Sequence, residues 1–189
     1  GSFDISFMRC IPNIVISCPS DEHELWHLLN ICYEHNGPAA IRYPRGSGIG
    51  VQPIPNEVEG FEIGKAKKIK DGQSVCILNF GVLMDQIDQI AEKKDYTLYD
   101  MRFIKPIDQD ALEHAMQHET IITLEDNTLL GGCGSAIGEK LHKQKFKGNL
   151  LSIGLKDEFP AHGSRNEILR QNGLDEESIQ KTIDNFLRN

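Results

Sequence analysis

Ile14-Val15-Ile16-Ser17-Cys18 leads directly into Pro19-Ser20-Asp21-Glu22, and this junction decides the predicted fold. The first stretch is a short, mostly apolar run, which is typical of a buried β-strand. The second supplies a cap residue and two acids for the first turn of a helix, which we expect to reach about Glu34. A strand that runs straight into a helix is the repeating unit of an α/β fold.

The same alternation continues to the end of the chain. In the first helix, Leu25, Leu28, Leu29 and Cys32 have the spacing of one packed face. Further strands are predicted at 39–43, near 63–69, and at 74–80, 96–101, 120–124 and 149–153, with helices near 83–94, from Asp108 and near 131–143. Strands separated by helices predict an α/β fold whose mostly parallel sheet is flanked by helices.

Two further helices are predicted at the end of the chain. Ser164 and Glu167 have the spacing of a capping box, and Gly173 can end the helix that they begin. The buried stripe of the second helix is expected to consist of Ile179, Ile183, Phe186 and Leu187.

Between Gly46 and about Phe61 the composition changes. Glycines and two prolines, Pro53 and Pro55, leave neither a helical nor a strand period there. This segment is the best candidate for a linker. We therefore expect residues 1–50 to end one domain, 51–61 to connect, and 62–189 to form a second domain.

Composition limits the class of protein. With 189 residues, a net charge of -8 and a pI near 5.3, the chain lacks the basic surface that nucleic acids or anionic membranes require. Apolar runs are short and no signal peptide is evident, which predicts a cytoplasmic protein without a membrane segment. The five cysteines include no CxxC pair, and their odd number favours reduced thiols over disulfides or a cysteine zinc site.

Two segments place an arginine where a predicted strand ends. They are Tyr43-Pro44-Arg45-Gly46 and Tyr99-Asp100-Met101-Arg102-Phe103-Ile104-Lys105-Pro106-Ile107-Asp108. Ligands of open α/β sheets bind at such strand ends, and a guanidinium matches a phosphate or a carboxylate. The alternative is that both arginines form local salt bridges on an acid-rich surface.

His23-Glu24-Leu25-Trp26-His27 matches the HExxH pattern of zinc proteases. Because Leu25, Leu28, Leu29 and Cys32 define the packed face, His23 and His27 are expected to point toward solvent. No evident third ligand follows, so we predict that no zinc site is present.

The glycine loop Gly131-Gly132-Cys133-Gly134-Ser135 opens a predicted helix. Its backbone could approach a phosphate, but it lacks both the GxGxxG spacing and a P-loop lysine. Close packing against the sheet or another subunit is the favoured interpretation. Glu125-Asp126-Asn127, just before the loop, could act as acid or base, or could form a helix entry or an interface. No GxSxG elbow is present.

Several of these motifs together resemble one family. Phe3-Asp4-Ile5-Ser6-Phe7-Met8-Arg9-Cys10-Ile11-Pro12, Ile41-Arg42-Tyr43-Pro44-Arg45-Gly46, Leu78-Asn79-Phe80-Gly81 and Asp100-Met101-Arg102-Phe103-Ile104-Lys105-Pro106 occur in the order found in 1-deoxy-D-xylulose-5-phosphate synthases, as do Pro19-Ser20-Asp21-Glu22 and Glu125 through Ser135. These are transketolase-type, thiamine-diphosphate-dependent transferases. The resemblance covers essentially the whole chain.

The resemblance implies a function for a complete parent protein. Such a parent uses thiamine diphosphate and Mg²⁺ to join pyruvate, with loss of CO₂, to glyceraldehyde 3-phosphate, for isoprenoid, thiamine and pyridoxal synthesis. It also implies a homodimer, with residues 1–50 ending a pyrimidine-binding domain and 62–189 forming a transketolase C-terminal domain.

The family's Gly-Asp-Gly motif, activating glutamate and cofactor-pocket histidine are not found in this sequence. By the resemblance, Arg45 binds the substrate phosphate, and no catalytic, cofactor-binding or metal-binding residue is expected here. The resemblance assigns no role to Arg102, which is expected to be a structural arginine at a strand end. The chain alone is therefore expected to bind no cofactor and to be inactive. Two alternatives stay open, namely a purely structural dimerisation module and an E1-β-like subunit of a 2-oxo acid dehydrogenase. Gly1-Ser2 is either native sequence or an expression remnant.

Overall fold

A computed structural model describes residues 1–54 and 61–188. In chain order, the elements are α1 (Asp4–Met8), β1 (Val15–Ser17), α2 (Glu22–Glu34), β2 (Ala39–Ile41), β3 (Lys67–Lys70), β4 (Gln73–Phe80), α3 (Met84–Lys94), β5 (Tyr96–Asp100), β6 (Phe103–Lys105), α4 (Gln109–Ala115), β7 (Thr120–Thr128), α5 (Cys133–Lys143), β8 (Asn149–Leu155), α6 (Arg165–Gln171) and α7 (Glu176–Leu187). Most lie within a few residues of their predicted positions. The sequence patterns did not indicate α1 or β6.

The strands form two sheets. The larger has the order β3-β5-β4-β7-β8, in which β5, β4, β7 and β8 are parallel neighbours and β3 is antiparallel to β5. This sheet confirms the predicted mostly parallel α/β architecture. Its central strands β4 and β7 are nearly continuously buried, as expected when helices cover both faces.

The smaller sheet has the order β2-β1-β6. Strands β1 and β2 are parallel, as a strand-helix-strand unit requires, whereas β6 joins β1 antiparallel from a distant part of the chain. Arg102, between β5 and β6, has a left-handed φ of 53°. The chain thereby leaves the larger sheet at β5 and enters the smaller sheet at β6 through one short turn.

Side-chain caps set several helix starts. Asp108 accepts hydrogen bonds from the backbone N–H groups of Asp110 and Ala111, and Ser164 and Glu167 form the predicted capping box. These caps satisfy donors that a helix leaves unpaired at its N-terminus. In α7, Ile179 and Ile183 are buried as predicted, but Leu187 is exposed.

The packed face of α2 differs from the prediction. His23 and His27 are buried and Leu29 is exposed, so the expectation that the histidines face solvent is wrong. The ring of His27 stacks on Phe61 at 4.3 Å between centroids. His27 Nε2 donates to the carbonyl of Ile54, and His23 Nδ1 accepts from the Ile54 N–H. The helix is covered on this side by Ile54 and Phe61, which a periodicity argument for α2 alone does not include.

The predicted linker lies partly outside the described residues, since 55–60 are not described.

No helix among the described residues is long and apolar enough to cross a membrane. All five cysteines are free, and only Cys10 is exposed.

Candidate anion-binding site

Arg45 follows β2 and is exposed at the wall of a cavity of about 480 Å³. Volumes of this size accommodate small organic ligands. The cavity lies between the two halves of the chain. Its lining comprises Gly1, Ser2, Arg42, Tyr43, Pro44, Arg45, Asp126, Leu155, Pro160, Ala161, His162, Gly163, Arg165, Ile168 and Leu169.

Arg42 lines the same cavity but already has internal partners. Its guanidinium is buried and pairs with the carboxylate of Asp126, and it donates at 2.8 Å to the Asp126 carbonyl. The carboxylate of Asp4 and the carbonyl of Gly1 accept further hydrogen bonds from the Arg42 guanidinium. The charge of Arg42 is therefore neutralised within the protein, and this residue ties β2 to the end of β7.

Arg45 differs from Arg42 in its surroundings. Within the described parts of the chain, its guanidinium takes part in no hydrogen bond or ion pair. The cavity lining contains three arginines and one aspartate, and that aspartate is paired with Arg42. The wall is therefore locally cationic on a protein with net charge -8, an arrangement that favours an anionic ligand.

The glycine loop does not leave the N-terminus of α5 open for a phosphate. The carboxylate of Glu125 accepts hydrogen bonds from the backbone N–H groups of Cys133 and Gly134, each at 2.8 Å. Burial raises the pKa of Glu125 to about 7, although these two N–H groups oppose the shift. The helix terminus is thus occupied by a side chain of the protein itself.

The rest of this region also supports the packing interpretation. A Cβ at Gly134 would lie 2.5 Å from Ser152 Oγ. Asn127 donates to Ser6 Oγ at 3.0 Å, and Arg9 donates to the carbonyls of Gly131 and Gly132. The loop, Glu125 and Asn127 therefore form internal contacts between α1, β7 and α5, whereas Asp126 lines the cavity and is paired with Arg42.

Arg102 is separate from the cavity. Its guanidinium is buried, donates two parallel hydrogen bonds to the carboxylate of Glu24, and lies 4.0 Å from the ring centroid of Phe61. The neighbouring Asp100 accepts from Ser20 Oγ and from the Arg102 N–H. Burial, and next the charge of Glu24, raise the pKa of Asp100 to about 7. The geometry therefore agrees with the structural role expected for Arg102.

The histidines of the HExxH pattern are both engaged in packing. Glu24, the residue that would act as base in a zinc protease, is instead paired with Arg102. Across residues 1–54 and 61–188, no group of three histidine, cysteine, aspartate or glutamate side chains could hold a metal ion. That this chain alone binds neither thiamine diphosphate nor Mg²⁺ stays a prediction.

Sequence reasoning found Arg45 but missed Arg165, which lines the same cavity from the start of α6. Only the capping box at Ser164 marked this region, and a cap indicates where a helix begins rather than what lies opposite it. Arg42 stood within a quoted motif, but its buried pairing with Asp126 depends on contact between distant segments.

Comparison with known proteins defines the class. The chain belongs to the transketolase family: the family model described as the transketolase C-terminal domain matches residues 64–179, and that of the transketolase pyrimidine-binding domain matches residues 1–49. The domain boundaries given above stay a prediction. Within this class, the chain is similar along its whole length to 1-deoxy-D-xylulose-5-phosphate synthases, which confirms the resemblance inferred from the motifs.

The similarity covers all of this chain but only part of each relative. Identity is 46% to the synthase of Mannheimia succiniciproducens and 47% to that of Pasteurella multocida, over 100% and 99% of this chain. The chain spans 30% of the length of each. A solved structure described as a split gene transketolase, inactive beta4 tetramer, has a TM-score of 0.86 at 25% identity. That match covers 96% of this chain and 60% of the other.

Proposed function

We propose that the chain is the C-terminal part of a 1-deoxy-D-xylulose-5-phosphate synthase. Such an enzyme condenses pyruvate with glyceraldehyde 3-phosphate and releases CO₂, supplying isoprenoid, thiamine and pyridoxal synthesis. The observation that carries this proposal is the 46–47% identity to named synthases over essentially the whole chain.

Arg45 is proposed to bind the phosphate of glyceraldehyde 3-phosphate. Its support is the contrast with Arg42, because Arg42 is buried and neutralised by Asp126 whereas Arg45 is exposed at the cavity without an internal partner among the described residues. A guanidinium with all its donors available can form two parallel hydrogen bonds to phosphate oxygens.

The chain by itself is proposed to be inactive. Thiamine diphosphate, when bound, supplies the carbanion chemistry of such enzymes. The sequence contains no Gly-Asp-Gly motif, which the resemblance assigns to binding of the metal-bound diphosphate. Calorimetric titration of the chain with thiamine diphosphate and Mg²⁺ should show no binding, and micromolar affinity would contradict this part of the proposal.

A chimera tests the function directly. The segment of the Pasteurella multocida synthase that aligns with this chain would be replaced by it, and the product would be assayed with pyruvate and glyceraldehyde 3-phosphate. We expect an active enzyme. A chimera that folds like the parent by circular dichroism but lacks synthase activity would refute the proposal.

The role of Arg45 is tested in the same chimera. Arg45→Gln should raise the KM for glyceraldehyde 3-phosphate at least about tenfold, the loss expected for a charged hydrogen-bonded contact, without changing the KM for pyruvate. Arg170→Gln, on the exposed side of α6, is the matched control for loss of one positive charge and should leave both constants unchanged.

A second candidate is a role in assembly, as a homodimeric or larger module or as an E1-β-like subunit. One support is the similar solved structure, a split gene transketolase described as an inactive beta4 tetramer. A second support is an exposed apolar face on this chain. Helix α2 exposes Trp26, Leu29 and Tyr33 at helical spacing on one face, with 45%, 53% and 88% of each residue's surface accessible. Contiguous exposed apolar side chains are typical of interaction surfaces.

Light scattering with concentration series tests this assembly role. The chain should form dimers or larger species, and Tyr33→Glu should weaken them because it places a charge in the apolar face. Glu34→Gln, an exposed change on the same helix, should leave the assembly intact. A strictly monomeric chain at high concentration would contradict the assembly role.

A further inference from the structure

We infer that Arg165 is a second anion-binding residue of the cavity that contains Arg45, so that two guanidinium groups from different halves of the chain bind one phosphomonoester. This inference rests on the proposed function, since it takes Arg45 as a phosphate contact. Arg45 follows the smaller sheet, and Arg165 begins α6 beside the larger sheet.

The guanidinium of Arg165 makes few hydrogen bonds within the protein. Its Nε is buried and has no hydrogen-bond partner among the described residues. Its Nη2 makes one long contact, 3.3 Å, with the carbonyl of Val82. A buried donor without an acceptor is costly, so the guanidinium is incompletely satisfied within the protein. Of its four Nη donors, only one contacts an acceptor among the described residues, and the others are available to a ligand.

The charge of a phosphomonoester matches the two available positive charges on the cavity wall. A phosphomonoester carries close to two negative charges at pH 7. Arg45 alone supplies one positive charge, and Arg42 adds none, because Asp126 and Asp4 already pair with it. Arg165 supplies the second positive charge on the same cavity wall. The exposed His162 also lines this wall and offers an imidazole N–H donor.

The charges of its lining distinguish this cavity from the second cavity that Arg165 borders. Arg165 also borders a second cavity of about 280 Å³, whose lining includes the carboxylates of Asp21, Glu22 and Asp85. An anion would be repelled there. Among the described residues, the only carboxylate in the lining of the larger cavity is that of Asp126, which is neutralised by Arg42. The charges of this lining therefore favour an anion between Arg45 and Arg165.

The fixed position of Arg165 favours such a role. The capping box formed by Ser164 and Glu167 holds the first turn of α6, and Leu169 of the same helix is buried in the core. The guanidinium therefore extends from an anchored helix start, which reduces the conformational entropy lost when a ligand is bound.

The test is a titration of this chain with glycerol 3-phosphate, which has the phosphate and carbon skeleton but no aldehyde, with glycerol as the ligand control. We expect saturable binding of glycerol 3-phosphate only. Arg165→Gln and Arg45→Gln should each raise the Kd about tenfold. Arg165→Lys should raise it less than Arg165→Gln, and Arg170→Gln should change it less than twofold. Circular dichroism and thermal unfolding of each variant verify the fold.

The outcomes separate this inference from the proposed function. If Arg45→Gln weakens binding and Arg165→Gln does not, the inference is wrong and the phosphate role of Arg45 stands. If neither variant weakens binding, both fail for this cavity. A native chain that does not bind glycerol 3-phosphate at millimolar concentration would also overturn the inference, whereas the chimera would still test the synthase assignment.

Discussion

Arg102 binds the carboxylate of Glu24 through two parallel hydrogen bonds, Nε to Oε2 at 2.7 Å and Nη2 to Oε1 at 2.8 Å, and both side chains are buried. Glu24 lies on α2 above the smaller sheet, and Arg102 lies in the turn between β5 and β6. The pair therefore fastens the helix to the turn by which the chain passes from one sheet to the other.

Replacing Arg102 should destabilise the protein strongly. Arg102→Met leaves buried Glu24 with Lys67 as its one remaining cation among the described residues, with Nζ 3.9 Å from Oε1. Breaking a buried pair costs about 3 to 5 kcal/mol, and we expect the lower end because of Lys67. Urea unfolding measures the change. Lys94→Met, which removes the more exposed pair with Asp184, should cost less than about 1 kcal/mol.

Asp100 should make stability depend on pH. Its pKa in the folded state is about 7, above the usual value near 4. Between about pH 4 and 7, the unfolded chain releases this proton and the folded chain retains it. This group therefore contributes less stability as pH rises through that range.

The variant Asp100→Asn removes this pH-dependent contribution. Its free energy of unfolding minus that of the native chain should increase as pH rises from 5 to 7.5, because only the native chain loses stability through Asp100. Urea unfolding at several pH values measures this difference. For the control Asp88→Asn, on the exposed side of α3, the difference from the native chain should not change with pH. A constant difference for Asp100→Asn would mean that its carboxyl is not retained in the neutral form.

The glycines of α5 should respond differently to alanine. A Cβ at Gly134 would lie 2.5 Å from Ser152 Oγ and 2.8 Å from Thr123 Oγ1, so Gly134→Ala should destabilise the protein by about 2 kcal/mol. At Gly138, the nearest atom would be Leu150 Cδ2 at 3.4 Å, an ordinary contact. Gly138→Ala should therefore be neutral or stabilise by up to about 1 kcal/mol through helix propensity. Thermal unfolding compares the two variants.

The HExxH histidines should contribute to stability through packing rather than through zinc. His27→Ala removes the hydrogen bond to Ile54 and the stacking on Phe61, and should cost about 1 to 2 kcal/mol in urea unfolding. His142→Ala, at an exposed position in α5, should cost little. After chelator treatment and zinc loading, elemental analysis should detect no bound zinc, and a stoichiometric zinc ion would contradict this interpretation.

Much of the fold followed from local patterns. Strand and helix alternation, the Asp108 cap and the capping box at Ser164 involve residues within a few positions of one another, so the sequence alone determines them. The motifs also identified the family, which the comparisons confirmed. Glu125 marks the limit of this reasoning, because its position before the glycine loop was evident but its capture by the start of α5 was not.

The tertiary structure alone decided which side of α2 is buried and which residues share a cavity. The buried side includes His23, Glu24 and His27 because Ile54, Phe61 and Arg102 provide polar and aromatic partners that no helical periodicity contains. Arg45 and Arg165 lie far apart in sequence and line one cavity because the folding of both sheets brings their ends together. Hydrophobic periodicity specifies which elements form, whereas the positions of their polar side chains depend on long-range packing.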